Sequence, residues 1–314
     1  MPTAYLYLFS DACPSDWLVD GQDNVWHTIV SLVFQTDPQL APSIEEGEGH
    51  EEILAFDPLY VRFTRQVQSQ LPSGQLRKWV TGPGYREHFC RAFTAALAEF
   101  RPIVSACSFQ EKVLRASKAL LLASYNRRIG GVEERGIGFE EFTDEKGRPQ
   151  MKHSFLNSCG YREILRPQHK MLVLLLMAWL VADQYAFFFR DIISSGRYGF
   201  EQLHLTIVSD TLSGDDDVHL TSEQNLRHLI DPEGDGATLA LTRSKVSDLF
   251  SGDLLVDNLA GWLTAAMNDP GGIFASYARD AIPSGVWAGW HHLQPSGSKL
   301  EGRPAIERLT STPL

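Results

Sequence analysis

Hydrophobic and polar positions along this chain follow two periods, and the places where one period gives way to the other predict its elements. The opening run, Ala4-Tyr5-Leu6-Tyr7-Leu8-Phe9-Ser10-Asp11, alternates aromatic and bulky apolar residues and stops at a carboxylate. That is the pattern of a buried central strand, with Asp11 set at the rim of the sheet where Ala12-Cys13-Pro14-Ser15-Asp16 turns away. An acid at the end of a buried strand is costly unless a cation or hydrogen bonds compensate it. Taken alone, Asp11 reads as a turn-capping residue. Residues 24–35 (NVWHTIVSLVFQ) form a second strand-like run after the turn residues Gly21, Asp23 and Asn24, so the two predict an antiparallel hairpin with a long loop.

The period then changes. Leu59, Phe63 and Val67 are spaced for a helix over 57–70, closed by Pro72-Ser73-Gly74. Leu76-Arg77-Lys78-Trp79-Val80 is a short strand candidate carrying two cations, and 85–100 is an amphipathic helix with Phe89, Phe93, Leu97 and Phe100 on its core stripe. A compact strand over 102–109 leads into a helix over 110–125 with Lys112, Arg115 and Lys118 on roughly one face. Residues 129–157 are rich in glycine and charge and predict a hairpin-like insertion turning at Asp144-Glu145-Lys146-Gly147. Residues 203–210 (LHLTIVSD) repeat the design of the opening run and again end on a carboxylate, Asp210. A short helix over 222–230, a short strand over 238–242 and a strong helix over 248–267 follow. In that last helix Asp253 and Asp257 stand four apart on one face beside an apolar stripe, and Gly261 permits close approach of the helix to a sheet. Two like charges at this spacing destabilise an isolated helix, which a nearby cation would offset. The segment with Trp287, Trp290, His291 and His292 is expected to pack peripherally, and the proline-, glycine- and serine-rich residues 293–314 read as a disordered tail.

Composition narrows the picture. With 314 residues and 43% hydrophobic content the chain can bury a large core, read here as a single domain over 1–292 with an acidic loop at about 36–56 and the insertion at 129–157. The formal net charge of −11 argues against a broad basic surface that coats nucleic acid, but not against a local basic groove or acids gathered around metal ions. Cys13, Cys90, Cys107 and Cys159 are widely spaced, which suits reduced thiols in a cytoplasmic protein; no cationic and apolar leader suggests secretion. Residues 171–189 are nearly long enough to span a bilayer, but Asp183 and Gln184 interrupt them, so a helix buried in the fold is expected and no membrane partner.

Three acids stand out by context: Asp11 after the first strand, Asp210 after a later strand, and Asp257 inside the last strong helix. If both strands are central and that helix packs on their sheet, the three carboxylates converge, and converged carboxylates persist cheaply only with a divalent metal or a shared proton. Oxygen-only ligation selects Mg2+ or Mn2+ over zinc, and a pair of such ions fits metal-assisted phosphodiester hydrolysis.

The strand–Asp at the start, Lys78-Trp79, the second strand–Asp and then Leu254-Leu255-Val256-Asp257-Asn258-Leu259-Ala260-Gly261 together resemble a widespread bacterial family long labelled a domain of unknown function. The resemblance covers roughly residues 4–268 and rests on short motifs, of which the closing helix is the most specific. It implies an α/β, RNase H-like fold, a mixed central sheet flanked by helices and carrying insertions. It also implies a metal-dependent nuclease, alone or within a larger nucleic-acid-processing or defence assembly. By the same resemblance Asp11, Asp210 and Asp257 fall on metal-ligand positions, and Lys78 and Trp79 on the Lys-Trp pair; as cations, Lys78 and Arg77 would supply local phosphate contacts. The Lys112–Lys118 face would add phosphate contacts. The chain departs from the family pattern in three places. Ser10-Asp11-Ala12-Cys13 replaces Asp-Glu-Ser-Gly, Gln75 or Leu76 stands where a Glu is expected, and Asp253 adds an acid one turn before Asp257, a candidate further ligand. The missing Glu and the acidic surface support a second reading, a catalytically inactive RNase H-like module acting as a protein-interaction subunit or homo-oligomer.

Overall fold

A computed structural model describes residues 3–13, 24–36, 58–79, 82–129, 138–157, 160–173, 175–176, 202–210, 238–244, 251–284, 286–296 and 299–310. The acidic loop, the 222–230 helix and Asp183 lie outside the described residues; of the apolar run only its first part is described, where Met171, Leu172, Val173, Leu175 and Leu176 are buried. Among the described residues no helix is long and apolar enough to cross a membrane.

The architecture is mixed α/β. In chain order the elements are β1 (Thr3–Cys13), β2 (Trp26–Thr36), α1 (Pro58–Ser69), α2 (Pro83–Phe100), β3 (Ile103–Gln110), α3 (Glu111–Ala116) and α4 (Lys118–Ile129). Then come β4 (Gly138–Thr143), β5 (Pro149–Asn157), β6 (Gly160–Pro167), β7 (Gln202–Asp210) and β8 (Thr238–Ser244). The chain closes with α5 (Ser251–Asn268), α6 (Ile273–Ala281), β9 (Val286–Ser296), β10 (Lys299–Pro304) and α7 (Ala305–Thr310).

Seven strands form one sheet in the order β10-β9-β3-β2-β1-β7-β8. β3, β2 and β1 are mutually antiparallel, whereas β7 runs parallel to β1 and β8 parallel to β7. β2 is buried from Trp26 to Phe34, as a central strand covered on both faces must be. Its even-numbered residues Val30, Leu32 and Phe34 join the main core with α1, α2 and α5, while His27 lies against Phe109. That core is strongly aromatic: Phe63 meets Phe34 and Phe93 edge-on at 5.3 Å, and Trp262 of α5 meets Phe93. Edge-to-face contacts of this kind add to the area each ring buries.

Several expectations need correction. Residues 76–79 are not a strand; they pair with no ladder and are held by side chains, as described below. The helix expected over 110–125 breaks at Ser117 into α3 and α4. The insertion is a three-stranded sheet, β4-β5-β6, rather than a hairpin. Its turn is as expected, with the Gly147 N–H donating to the Asp144 carbonyl at 2.9 Å and Gly147 at φ 75°, a conformation glycine adopts freely. The segment 287–296 is not peripheral, for β9 lies beside β3 and the Trp290 indole N–H donates to the buried Ser108 hydroxyl at 2.9 Å. Nor are residues 293–310 a disordered tail. They complete β9 and form β10 and α7, which buries Ala305 and Leu309 and sets the Arg308 guanidinium 4.9 Å from the centre of the Trp26 ring.

Three buried histidines carry a consequence for stability. Burial lowers His27, His153 and His169 each from 6.5 to about 4, so all three are neutral in the folded protein. The unfolded chain takes up protons at 6.5 that the folded one refuses, so stability falls as the pH drops from 6.5 towards 4. For His153, stacked on Phe139 with ring centres 4.3 Å apart, that loss reaches up to about 3 kcal/mol. Melting curves across this window should fall with acid, and His153→Gln should flatten the descent; a parent curve level from pH 6.5 to 4 would contradict it.

Candidate functional site

The Arg77–Trp79 segment belongs to no helix or strand, yet the backbone polar groups of Arg77 and Trp79 are satisfied by side chains. The Tyr85 hydroxyl accepts from the Arg77 N–H and donates to the Arg77 carbonyl, both at 2.8 Å. From α5, Asn258 Nδ2 donates to the same carbonyl at 2.7 Å and to the Leu254 carbonyl at 2.6 Å. The Trp79 N–H donates to Asp257 Oδ2 at 3.1 Å, and Arg86 Nε donates to the Trp79 carbonyl at 2.7 Å. Arg86 also lies over the Trp79 ring, 5.3 Å from its centre. Side chains of α2 and α5 thus replace the missing ladder.

The Trp79 ring fills the space above Gly261, where an added Cβ would come within 2.2 Å of its Cγ. Gly261 therefore admits an indole, not the sheet that its position in the sequence suggests. The ring continues edge-on to Phe89 and Phe274, anchoring the segment in the core. Of the two residues that could stand where the family pattern has a Glu, Leu76 is buried in that core and Gln75 is exposed, as are Arg77 and Lys78.

Asp257 is thereby fixed beside Lys78. Burial raises its carboxyl above the ordinary 3.8, opposed by the Trp79 N–H and by the Lys78 charge. Its Oδ1 accepts no hydrogen bond from the described residues. A half-buried carboxylate with one oxygen anchored and the other unengaged is a suitable hard donor.

The side chains of Asp11, Asp210 and Asp253 lie outside the described structure, but their backbones are placed. β1 runs on to Cys13, so Asp11 sits inside its strand, opposite Val30 of β2. Val30 belongs to the face that α5 covers. The parallel pairing of β1 with β7 ends at Ser10 and Ser209, which makes Asp11 and Asp210 the next residues of two adjacent strands. From β1 the chain continues towards β2, and from β7 towards β8, on opposite sides. The carboxyl ends of β1 and β7 therefore flank the kind of switch point where open α/β sheets hold ligands.

α5 packs along β1 and β2, and its end is tied to the start of β2: the Trp26 N–H donates to Asn268 Oδ1 at 2.8 Å, and Asn268 Nδ2 to the Trp26 carbonyl at 2.9 Å. Asp257 is about 16 Å back along the helix from Asn268, at a rise of 1.5 Å per residue. The Asp11 rung at Val30 is about 13 Å along β2 from Trp26. Asp253 is one turn before Asp257 on α5.

The Lys112–Lys118 face is already engaged. Lys112 donates to Asn24 Oδ1, Arg115 pairs with Glu111, and Lys118 pairs with Glu141. A cleft of about 670 Å3 between α3 and the small sheet, where Phe142 and Leu165 are exposed, contains none of the candidate carboxylates. Among the described side chains no three His, Cys, Asp or Glu groups gather as a metal site. No family model, curated protein or solved structure matches the chain.

Two outcomes follow from this geometry. Gly261→Ala should destabilise the protein by about 1–3 kcal/mol through overpacking against Trp79. Trp79→Leu in the same chain should recover part of that loss, as read from denaturant midpoints; strict additivity would show that the ring is not the cause. Because the Asp257 carboxyl is raised, the folded state disfavours its ionisation, and that penalty is fully present at neutral pH. Metal-free Asp257→Asn, still able to accept from Trp79, should melt as high as the parent or higher at pH 7. The gain should fade below the ordinary 3.8, where the unfolded chain is also protonated.

Proposed function

We propose that this chain is an RNase H-like, divalent-metal-dependent nuclease whose site is built on Asp11, Asp210 and Asp257. The observation that carries the reading is the register. Two parallel strands lie side by side with Asp11, inside β1, and Asp210, at the end of β7, in step, on a face covered by the helix that bears Asp257. The similar axial offsets of Asp257 and of the Asp11 rung from the Trp26–Asn268 tie support the same reading. So does the mixed sheet with β1 at its switch from antiparallel to parallel neighbours.

Three carboxylates are a hard, oxygen-only donor set that suits Mg2+ or Mn2+, with Asp253 as a candidate fourth. Held by these residues, such ions would supply a water of lowered pKa and stabilise the leaving oxygen of a phosphodiester. Asp257 contributes an oxygen whose direction is fixed by the Trp79 hydrogen bond. Lys78, exposed beside it, offers a cation to a non-bridging phosphate oxygen, and Arg77 a second one farther out.

The alternative, an inactive module that binds a protein partner, is favoured by the missing Glu, since neither the exposed Gln75 nor the buried Leu76 supplies a carboxylate there. Melting curves of the parent and of Asp257→Asn with and without Mn2+ separate the two, together with a cleavage assay on single- and double-stranded DNA and RNA. The nuclease reading expects Mn2+ to raise the melting temperature of the parent only, through binding to the native state, and expects cleavage to be lost in the mutant. Equal shifts would remove Asp257 from the site, and a parent with neither shift nor cleavage would favour the inactive module.

A further inference from the structure

The distribution of unpaired positive charge points to where a polyanion would lie. Residues 58–86 contain five cations, Arg62, Arg65, Arg77, Lys78 and Arg86, and no Asp or Glu, in a chain of formal net charge −11. Arg62 and Arg65 stand one turn apart on the solvent face of α1, opposite the buried Phe63, Thr64 and Val67. Arg77 and Lys78 are also exposed.

None of the five forms an ion pair with the described residues, whereas Arg91, Arg115, Lys118, Arg148 and Lys152 all do. Arg62 and Arg86 are steadied by aromatic rings, Phe100 at 5.4 Å and Trp79 at 5.3 Å, which orient a guanidinium without cancelling its charge. In an acidic protein, a strip free of carboxylates is where a polyanion is repelled least. The strip also leads to Asp257, because Lys78 and Trp79 are the residues beside it.

We propose that the solvent face of α1, continued through Arg77 and Lys78, is the track along which the phosphate backbone of a nucleic-acid strand approaches the Asp257 site. This rests on the nuclease reading for its destination but not for its charge. From Arg62 to the end of α1 is about 10 Å, so the track spans several nucleotides at a 3.4 Å rise. Contacts of this class are to phosphate and carry no base sequence.

The test measures binding of a fluorescein-labelled single-stranded oligodeoxynucleotide, and of the matching RNA, in EDTA over a salt series. The proteins are the parent, Arg62→Gln/Arg65→Gln, and Arg148→Gln as a control whose cation is paired with Asp144. The track predicts that the double variant binds more weakly and that its slope of log affinity against log salt falls by about 1.4, two contacts at 0.7 each. Arg148→Gln should match the parent. In Mn2+ the double variant should still hydrolyse bis(p-nitrophenyl) phosphate, a diester too small to need the track, while losing cleavage of the oligonucleotide.

An unchanged slope in the double variant, or no oligonucleotide binding by the parent, overturns the track. So does binding of the parent to phosphatidylserine vesicles in preference to either oligonucleotide. A slope that falls as expected in a protein that cleaves neither substrate keeps the track and removes the nuclease reading.

Discussion

The Arg77–Trp79 backbone has no ladder of its own, and the region around the candidate site depends on how its polar groups are satisfied. A buried or half-buried peptide group without a partner costs about as much as a lost hydrogen bond. Here the partners are side chains: Tyr85 and Arg86 from α2, Asp257 and Asn258 from α5. One set of bonds thus ties α2 to α5 and fixes a carboxylate. The indole of Trp79 can reach this position only because residue 261 lacks a Cβ. Structural and chemical demands fall on the same few atoms.

That coupling explains why a destabilising acid is tolerated. Desolvation works against the charge of Asp257, and only the Trp79 N–H and the neighbouring Lys78 oppose it. Among the described residues, several charges form ion pairs on or near the surface, where each is worth little. The cations of residues 58–86 form no such pair with the described residues. Of these, Lys78 stands beside a carboxylate that the fold has already committed to a fixed direction, so the acidic and basic extremes of the region meet there.

The C-terminal segment completes the large sheet instead of trailing from it. β9 adds to β3, β10 to β9, and Arg308 returns over Trp26, which is itself tied to Asn268 at the end of α5. The far end of the helix that carries Asp257 is therefore locked to the first residue of β2. Side-chain hydrogen bonds at the end of α5, to β2, and at its middle, to the 77–79 segment, thus add to its apolar packing.

Much of the fold was legible from pattern. β1, β2, β3, β7 and β8 are runs of β-branched, aromatic and aliphatic residues, and α1, α2 and α5 show apolar stripes at helical spacing, because burial on a sheet or a helix face imposes those periods whatever the rest of the chain does. The acids at 11, 210 and 257 stood out for the same reason, as polar residues where the pattern is apolar. β6, β9 and β10 escaped notice because Gly, Arg, Glu, His and Pro weaken any alternation, and their pairing comes from neighbours that the local sequence does not name. The strand expected at 76–80 is not seen over its described residues 76–79, beside which no described strand lies to pair with. Gly261 looked like a helix–sheet contact because its true neighbour, Trp79, is remote in sequence. That β1 and β7 are adjacent and in step at Ser10 and Ser209 is likewise a matter of long-range register, which hydrogen bonding between distant segments decides and local composition does not.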